Sequence, residues 1–222
     1  MDLRRAPQSL AQQFHEVHVF AALGAIRIAM LWFAGALDRV AGLPGALPAD
    51  WAGTIGAALR APLIGLYLLI LVALYGHLLR GRRIAAVMLD GFGIWATFNL
   101  LFHFLKINLL MLTNAVHPQL LLGQVITYLM FFVLAWGWIF WRLDRIAGPE
   151  DQQIVDVPAA VSESGSFDYY YASMMSLLQG KMSGFHGVSR LGKLVVAVHS
   201  FMIVDLAAIA LARFYQLVQR SI

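Results

Sequence analysis

Hydrophobic positions cluster along the chain in runs much longer than one helical turn. Five apolar runs, interrupted by few charges, extend over about residues 17–37, 61–79, 84–105, 119–141 and 194–217. With a rise of about 1.5 Å per residue, helices of this length cross about 30 Å of hydrocarbon. The pattern therefore predicts an all-α membrane protein with about five transmembrane helices.

A shorter apolar stretch lies between the fourth and fifth runs. Residues 167–178 are aromatic and apolar but too few to cross a bilayer, so they predict a re-entrant helix. Asp168 favours a helix N-terminus, where a carboxylate meets unbonded N–H groups. The polar sequence QGKMSGFHG follows, and it is tolerated at membrane depth only where it packs in protein or lines water. Together these elements form a pore-loop pattern.

The connections between the runs differ in composition. Residues 38–60 are rich in Gly, Ala and Pro and predict a loop, whereas residues 80–83 (Arg-Gly-Arg-Arg) predict a tight turn. The sequence RIAGPEDQQIVDVPAAVSESGS after the fourth run is a polar linker. We therefore divide the chain into a three-span membrane region, residues 1–115, and a pore-loop module, residues 116–222.

Composition supports a membrane protein and narrows its chemistry. Hydrophobic residues make up 60% of the chain and charged residues 13%, whereas soluble domains have about 45–50% and about 25%. The absence of cysteine excludes disulfides, zinc–thiolate sites and cysteine nucleophiles. A net charge of +4 is more typical of basic cytoplasmic loops than of nucleic-acid binding. The sequence has no hydrolase, phosphate-binding or zinc motif, so we predict no enzyme, metal or cofactor.

Two stretches near the C-terminus match motifs of one known superfamily. Tyr171, Ala172 and Ser173 match the start of a pore helix that reads like YFS-VVTLT. The motif P-V-S-x-L-G-R, which opens an inner helix, is matched by Val188, Ser189, Leu191, Gly192 and Lys193. The number of residues between the two motifs agrees with that in the superfamily without a gap. From the fourth span onwards, the chain thus resembles the pore domain of the potassium-channel superfamily. The resemblance implies an outer helix, a pore helix, a filter-equivalent loop and an inner helix, with four copies around one axis in a bacterial inner membrane.

The stretch between these two motifs departs from the family's Thr-Val-Gly-Tyr-Gly-Asp filter. On the same register, Lys181 and Ser183 replace the two filter glycines. Glycine is needed there because the filter backbone adopts conformations that disfavour a Cβ, and a lysine near the pore axis repels cations. The resemblance therefore implies a degenerate filter. Its filter-equivalent residues are Leu178, Gln179, Gly180, Lys181, Met182, Ser183 and Gly184.

Charges inside the runs require an explanation, because each costs roughly 2.5–3.5 kcal/mol on insertion scales. Asp205 lies midway along the fifth run. We interpret Asp205, together with His199, as lining an inner-helix cavity that concentrates cations. The alternatives are an intramolecular pair of Asp205 with Arg27 or His199, or a buried carboxyl group that is hydrogen-bonded. Arg27 is also a candidate partner for Asp90.

A further group of polar residues lies in the third run. Asn99, His103 and Lys106 are spaced at i, i+4 and i+7, so they share one helix face. This face either lines a water path or contacts a partner helix through hydrogen bonds, and contact with a helix is the commoner use of such residues.

Two rules for membrane orientation disagree. The distribution of Lys and Arg favours a cytoplasmic pore loop, whereas potassium-channel relatives place the loop outside, and we adopt the channel orientation.

Our prediction is an ion-channel-like protein that forms a tetrameric pore in the lipid bilayer and conducts monovalent ions. Two alternatives stay open. One is a non-conducting scaffold or regulatory subunit, which Lys181 favours, and the other is a small transporter whose broken helix near residues 180–187 binds an anion.

Overall fold

The computed structural model describes residues 10–41, 49–112, 118–147, 155–156, 166–179 and 186–221. Within these ranges the backbone forms six helices and one pair of two-residue strands. In chain order they are α1 Leu10–Ala41, α2 Ala49–Leu79, α3 Ala86–Leu112, α4 Pro118–Ala147, β1 Val155–Asp156, α5 Ser166–Gln179, β2 His186–Gly187 and α6 Arg190–Ser221. The described chain is thus almost entirely helical.

Four helices contain stretches that are long and apolar enough to cross a bilayer. They are Leu10–Leu31 in α1, Val87–Asn108 in α3, Leu122–Arg145 in α4 and Arg190–Ile209 in α6. The apolar stretch Ile64–Leu79 in α2 is shorter. An all-α membrane protein is therefore confirmed, with four candidate spanning helices, and a fifth span in α2 stays a prediction.

The predicted loop over residues 38–60 is wrong at both of its ends. Helix α1 continues to Ala41, and α2 already begins at Ala49. The residues that interrupt helices most strongly, glycine and proline, are concentrated in the interval 42–48. The following residues include several alanines, which have the highest helix propensity, so α2 begins well before the apolar run does.

The described residues group into two compact units, and the division falls inside α4. The N-terminal unit contains α1, α2, α3 and the part of α4 that ends at Phe132. The C-terminal unit contains α4 from Val133 onwards, together with α5, α6 and both strands.

In the N-terminal unit, α1 and α3 run side by side in the same direction. Near the start of α1, the Gln13 amide donates to the Ile84 carbonyl (3.0 Å) and accepts from the Ile84 N–H (2.9 Å). Further along, the rings of Phe20 and Phe92 stack with their centroids 5.3 Å apart. Both pairs are separated by nearly the same number of residues, so the two helices are parallel.

The turn between α2 and α3 ends α2 with a defined cap. The Gly81 N–H donates to the Leu78 carbonyl (2.8 Å), and the Arg82 N–H donates to the His77 carbonyl (3.2 Å). This pair of bonds is a Schellman motif, which satisfies the last carbonyls of a helix. Gly81 has a φ of +70°, a conformation that residues with a Cβ disfavour. The tight turn predicted at residues 80–83 is therefore confirmed.

In the C-terminal unit, the two strands bring together chain positions on either side of α5. Strands β1 and β2 pair antiparallel, with Val155 opposite Gly187 and Asp156 opposite His186. Helix α5 lies between the strands in sequence, and α6 begins directly after β2. The segment that contains α5 therefore begins and ends at the same place, beside the start of α6.

Candidate functional site

The succession of α4, α5 and α6 makes the C-terminal unit the candidate functional site. Helix α5 contacts α4 at Gly137, where an added Cβ would overlap the Tyr170 ring and lie 2.9 Å from the Tyr170 Cα. Gly137 precedes Arg145, the end of the apolar stretch of α4, by eight residues, or about 12 Å of helix. The short helix therefore packs against α4 at a level inside this apolar stretch, and glycine permits the close approach.

A hydrogen bond attaches the first turn of α5 to the end of α4. The Tyr169 hydroxyl donates to Asp144 Oδ2 at 2.7 Å, and both residues are buried. A bond to a carboxylate is charge-assisted and about twice as strong as a neutral one. The buried face of α5 follows helical spacing and consists of Tyr169, Ala172, Ser173 and Ser176. The opposite face exposes Phe167, Tyr171, Met174 and Leu178.

Ser189 caps the N-terminus of α6. Its hydroxyl accepts from the Gly192 N–H (2.9 Å), and its carbonyl accepts from the Lys193 N–H (2.9 Å). A serine side chain at this position satisfies one of the N–H groups that have no partner within the helix. Gly187 packs on the backbone of Gly192 and Lys193, so that a Cβ at position 187 would overlap main-chain atoms. The residues that match the inner-helix motif thus form a cap that holds β2 against α6.

Most of the predicted filter-equivalent residues lie outside the described part of the chain. Leu178 and Gln179 form the end of α5, and both are exposed. The others, which are Gly180, Lys181, Met182, Ser183 and Gly184, are not among the described residues. The predicted filter would therefore begin at the C-terminal end of the short helix, and its role stays a prediction.

The two predicted cavity residues lie on different faces of α6. His199 is fully buried, with its ring centroid 4.8 Å from that of Trp136 and 5.3 Å from that of Phe140, so it belongs to the contact with α4. Asp205 is only partly buried, and Phe201, one turn before it, is exposed. The structure therefore does not bring His199 and Asp205 together. Of the two, only Asp205 borders the exposed side of α6, on which Phe201 lies and which we call its open side.

The N-terminal unit contains a cavity of about 500 Å³ between α1, α2 and α3. Arg27 and Asn99 line one end of it, and most of the remaining wall is apolar. Asn99 is buried, and its Nδ2 donates to the Trp95 carbonyl at 2.8 Å. Asn99 belongs to the polar face of α3 that was expected to line a water path or to contact a helix, and here it lines a largely apolar cavity. Gly91, one of two glycines in the cavity wall, has no side chain to fill the space and is a signal of the cavity in the sequence.

Two buried polar side chains lie in the part of the N-terminal unit where α3 and α4 meet. The Tyr128 hydroxyl on α4 donates to the Leu100 carbonyl on α3 at 3.3 Å. His103 and Gln124, each about one turn from this bond, are buried. Among the described residues, neither the His103 ring nitrogens nor the Gln124 amide atoms have a hydrogen-bond partner. Buried polar groups without partners are unfavourable, so helix packing alone does not explain a histidine and a glutamine at these two positions.

Comparison with known proteins finds no relative: no protein-family model, no curated protein and no solved structure matches the chain. Within the described ranges, no group of three or more His, Asp or Glu residues is arranged to hold a metal ion. The class therefore follows from the fold alone. Over the described residues, the chain is an almost entirely helical membrane protein in which a short helix separates two helices of spanning length.

Proposed function

We propose that the protein is a pore-loop membrane protein whose copies assemble around a common axis and form an ion-conducting pore. In this proposal the segment that contains α5 enters the membrane and returns to the same side. Residues 178–184 form the constriction, and α6 lines the pore. The pore lacks potassium selectivity, because Lys181 and Ser183 occupy positions at which a potassium filter needs glycine.

The pairing of β1 with β2 is the observation that carries the proposal. It makes the chain positions before and after α5 neighbours. The 14 residues of α5 extend about 21 Å, which is less than the about 30 Å of hydrocarbon. Nevertheless, α5 contacts α4 at Gly137, inside the apolar stretch of α4. A short helix that departs and returns at one place, and that packs at this depth, supports a re-entrant segment.

Asp205 supports assembly into an oligomer. It lies inside the apolar stretch of α6 and is partly exposed in a single copy of the chain. A charge that faces lipid costs roughly 2.5–3.5 kcal/mol, so this side of α6 is expected to face protein or water. Further copies that cover the open side of α6 would place Asp205 beside an enclosed, hydrated centre. One pore loop cannot enclose an ion path, so we propose four copies, as in the superfamily that the sequence resembles.

A non-conducting scaffold is the second candidate function, and Lys181 favours it. A lysine on the axis of a narrow pore repels cations, and this repulsion is strong where water is excluded. The same fold would then anchor or regulate a partner protein. The two candidates differ in conduction and in oligomeric state, because only the pore requires several copies around one axis.

The test measures assembly and conduction in the same preparation. The mass of the purified protein is determined by native mass spectrometry, and the protein is then reconstituted in planar bilayers with asymmetric KCl and NaCl. The wild type is compared with Asp205→Asn and Lys181→Gly. Asp90→Asn, which removes an acidic group from α3 in the N-terminal unit, is the matched control.

We expect tetramers with unitary currents that fall in Asp205→Asn, rise in Lys181→Gly and stay unchanged in Asp90→Asn. Tetramers that are silent as the wild type and in all three variants would replace the pore with the scaffold. A monomer or a dimer would overturn the pore, because one or two pore loops do not enclose an ion path, and would leave the scaffold as the candidate.

A further inference from the structure

The cavity in the N-terminal unit is elongated, and its two ends differ in polarity. Along α3 its wall extends from Met88 to Asn99, which corresponds to about 16 Å of helix. Leu74 and Met88 give one end an apolar surface, whereas Arg27 and Asn99 line the other end. The volume of about 500 Å³ is typical of a small-molecule site. The shape and the polarity together match an amphipathic molecule.

Arg27 gives the polar end of the cavity a cationic side chain. Arg27 lines the wall, and both Arg27 and Lys106 lie close enough to His103 to act on its ring electrostatically. Asn99 donates one hydrogen bond to the Trp95 carbonyl, and its amide retains a second N–H and an oxygen. A guanidinium group binds a carboxylate through two parallel N–H···O bonds. This end of the cavity therefore suits a carboxylate.

The cavity opens sideways, towards the hydrocarbon of the membrane. Leu66, Ile70 and Met88 belong to its wall and are exposed on α2 and α3. The inner wall is shaped by Tyr67 and Trp95, whose rings stack with centroids 5.1 Å apart. A ligand therefore reaches the cavity from the bilayer, and this route selects a lipophilic molecule over a water-soluble one.

We propose that this cavity binds a lipophilic carboxylic acid, such as a long-chain fatty acid. The carboxylate pairs with Arg27 and Asn99, and the alkyl chain lies along the apolar wall. A single alkyl chain fits the volume, whereas the two chains and the headgroup of a phospholipid do not. The site belongs to the N-terminal unit, so it does not depend on the pore proposed for the C-terminal unit.

Fluorescence quenching tests the site directly, because Trp95 lines the cavity. Dibromostearate quenches a tryptophan that it contacts, and the wild type in nanodiscs is compared with Trp95→Phe, which removes one of 6 tryptophans. We expect a saturable component of quenching that is absent from Trp95→Phe. Unlabelled stearate displaces the probe, and methyl stearate does so about tenfold more weakly, because the ester has no charge to pair with Arg27.

Substitutions in the cavity wall distinguish binding at a defined site from simple partitioning of the fatty acid into the bilayer. Gly91→Leu adds a side chain at a position with nothing within 4 Å of its Cβ, so it fills the cavity without a collision at that atom and removes the saturable component. Gly76→Leu is the matched control, since Gly76 is equally open but does not line the cavity, and it leaves binding unchanged. Arg27→Gln weakens stearate binding about tenfold.

Three results would each overturn the proposal: quenching that increases with probe concentration without saturating, equal displacement by stearate and methyl stearate, or unchanged binding in Gly91→Leu. Displacement by phosphatidylglycerol as effective as that by stearate would overturn it as well, because the proposed occupant has one chain. Ion conduction plays no part in this assay. A failure of the binding proposal therefore leaves the pore proposal intact.

Discussion

The two units of the molecule hold their helices together in different ways. In the N-terminal unit a long side chain bridges two elements, since Gln13 of α1 makes both of its bonds to the Ile84 backbone, and the helices leave a cavity between them. In the C-terminal unit, the main chain of α5 comes close to α4 at Gly137, and Gly187 packs on the backbone at the start of α6. Small residues at close approaches are a usual basis of helix association in membranes. Close backbone packing suits a precisely placed short helix, whereas bridging side chains leave room for a ligand.

Replacing Gly137 should disturb the C-terminal unit most. In Gly137→Val the new side chain meets the Tyr170 backbone, and displacement of α5 costs about 3 kcal/mol, the upper end of the range for overpacking. In a protein of this length, that corresponds to a fall in Tm of about 6–12 °C, measured by thermal unfolding in detergent. Gly65→Val is the control, because nothing lies within 4 Å of that Cβ position. Equal Tm values for the two variants would contradict the close contact.

Replacing Gln13 should loosen the N-terminal unit and leave the C-terminal unit unchanged. Gln13→Leu removes both bonds to Ile84, which is buried, and exposing two backbone groups to an apolar environment costs about 2 kcal/mol. Hydrogen exchange followed by mass spectrometry should show faster exchange around Ile84 and unchanged exchange in α5. The same substitution at the exposed Gln179 is the control. If protection around Ile84 persists in Gln13→Leu, the bridge does not hold α1 to the start of α3.

Removing the Tyr169 hydroxyl should have a smaller effect on the C-terminal unit than Gly137→Val. Tyr169→Phe deletes the bond to Asp144 but keeps the ring, and a hydrogen bond to a charged group contributes about 1.5 kcal/mol at the low end of its range. Limited proteolysis at the ends of α5 should become faster. Tyr171→Phe, on the exposed face of the same helix, should change nothing. Equal proteolysis of both variants would show that the hydroxyl does not anchor α5.

The smallest expected effect concerns His103 in the N-terminal unit. Both of its ring nitrogens are buried without a hydrogen-bond partner among the described residues, so His103→Leu loses no bond to them. We expect a change in unfolding free energy within about 1 kcal/mol, in the direction of greater stability, because an apolar side chain suits an apolar interior. Thermal unfolding measures it. A loss comparable to that in Gln13→Leu would mean that His103 makes a bond essential to the unit.

The sequence predicts element positions well where hydropathy changes sharply. The prediction of a short helix over residues 167–178 agrees with α5, Ser166–Gln179, because polar segments lie on both sides of it. The start of α2 was predicted too late. Hydropathy changes little between residues 49 and 61, and alanine propensity, which acts on the backbone, extends the helix there.

The candidate sites were less predictable, because they depend on how helices face each other. Hydropathy predicts the positions of Asp205 and His199 along α6, but it does not predict which face of α6 packs against α4. Trp136 and Phe140 decide this, since their rings enclose His199 and leave Asp205 towards the open side. The cavity beside Arg27 arises from the spacing of three helices, and no periodicity within a single helix contains that information.

The central claim is that the chain enters and leaves α5 on one side of the membrane. Because the protein has no cysteine, Asp156→Cys, Val188→Cys and Tyr215→Cys each introduce a unique thiol, before α5, before α6 and near the end of α6. A membrane-impermeant maleimide is applied to sealed vesicles of known orientation. We predict that Asp156→Cys and Val188→Cys are labelled from the same side and Tyr215→Cys from the other. Labelling of Asp156→Cys and Val188→Cys from opposite sides would contradict the account, because the segment with α5 would then cross the membrane.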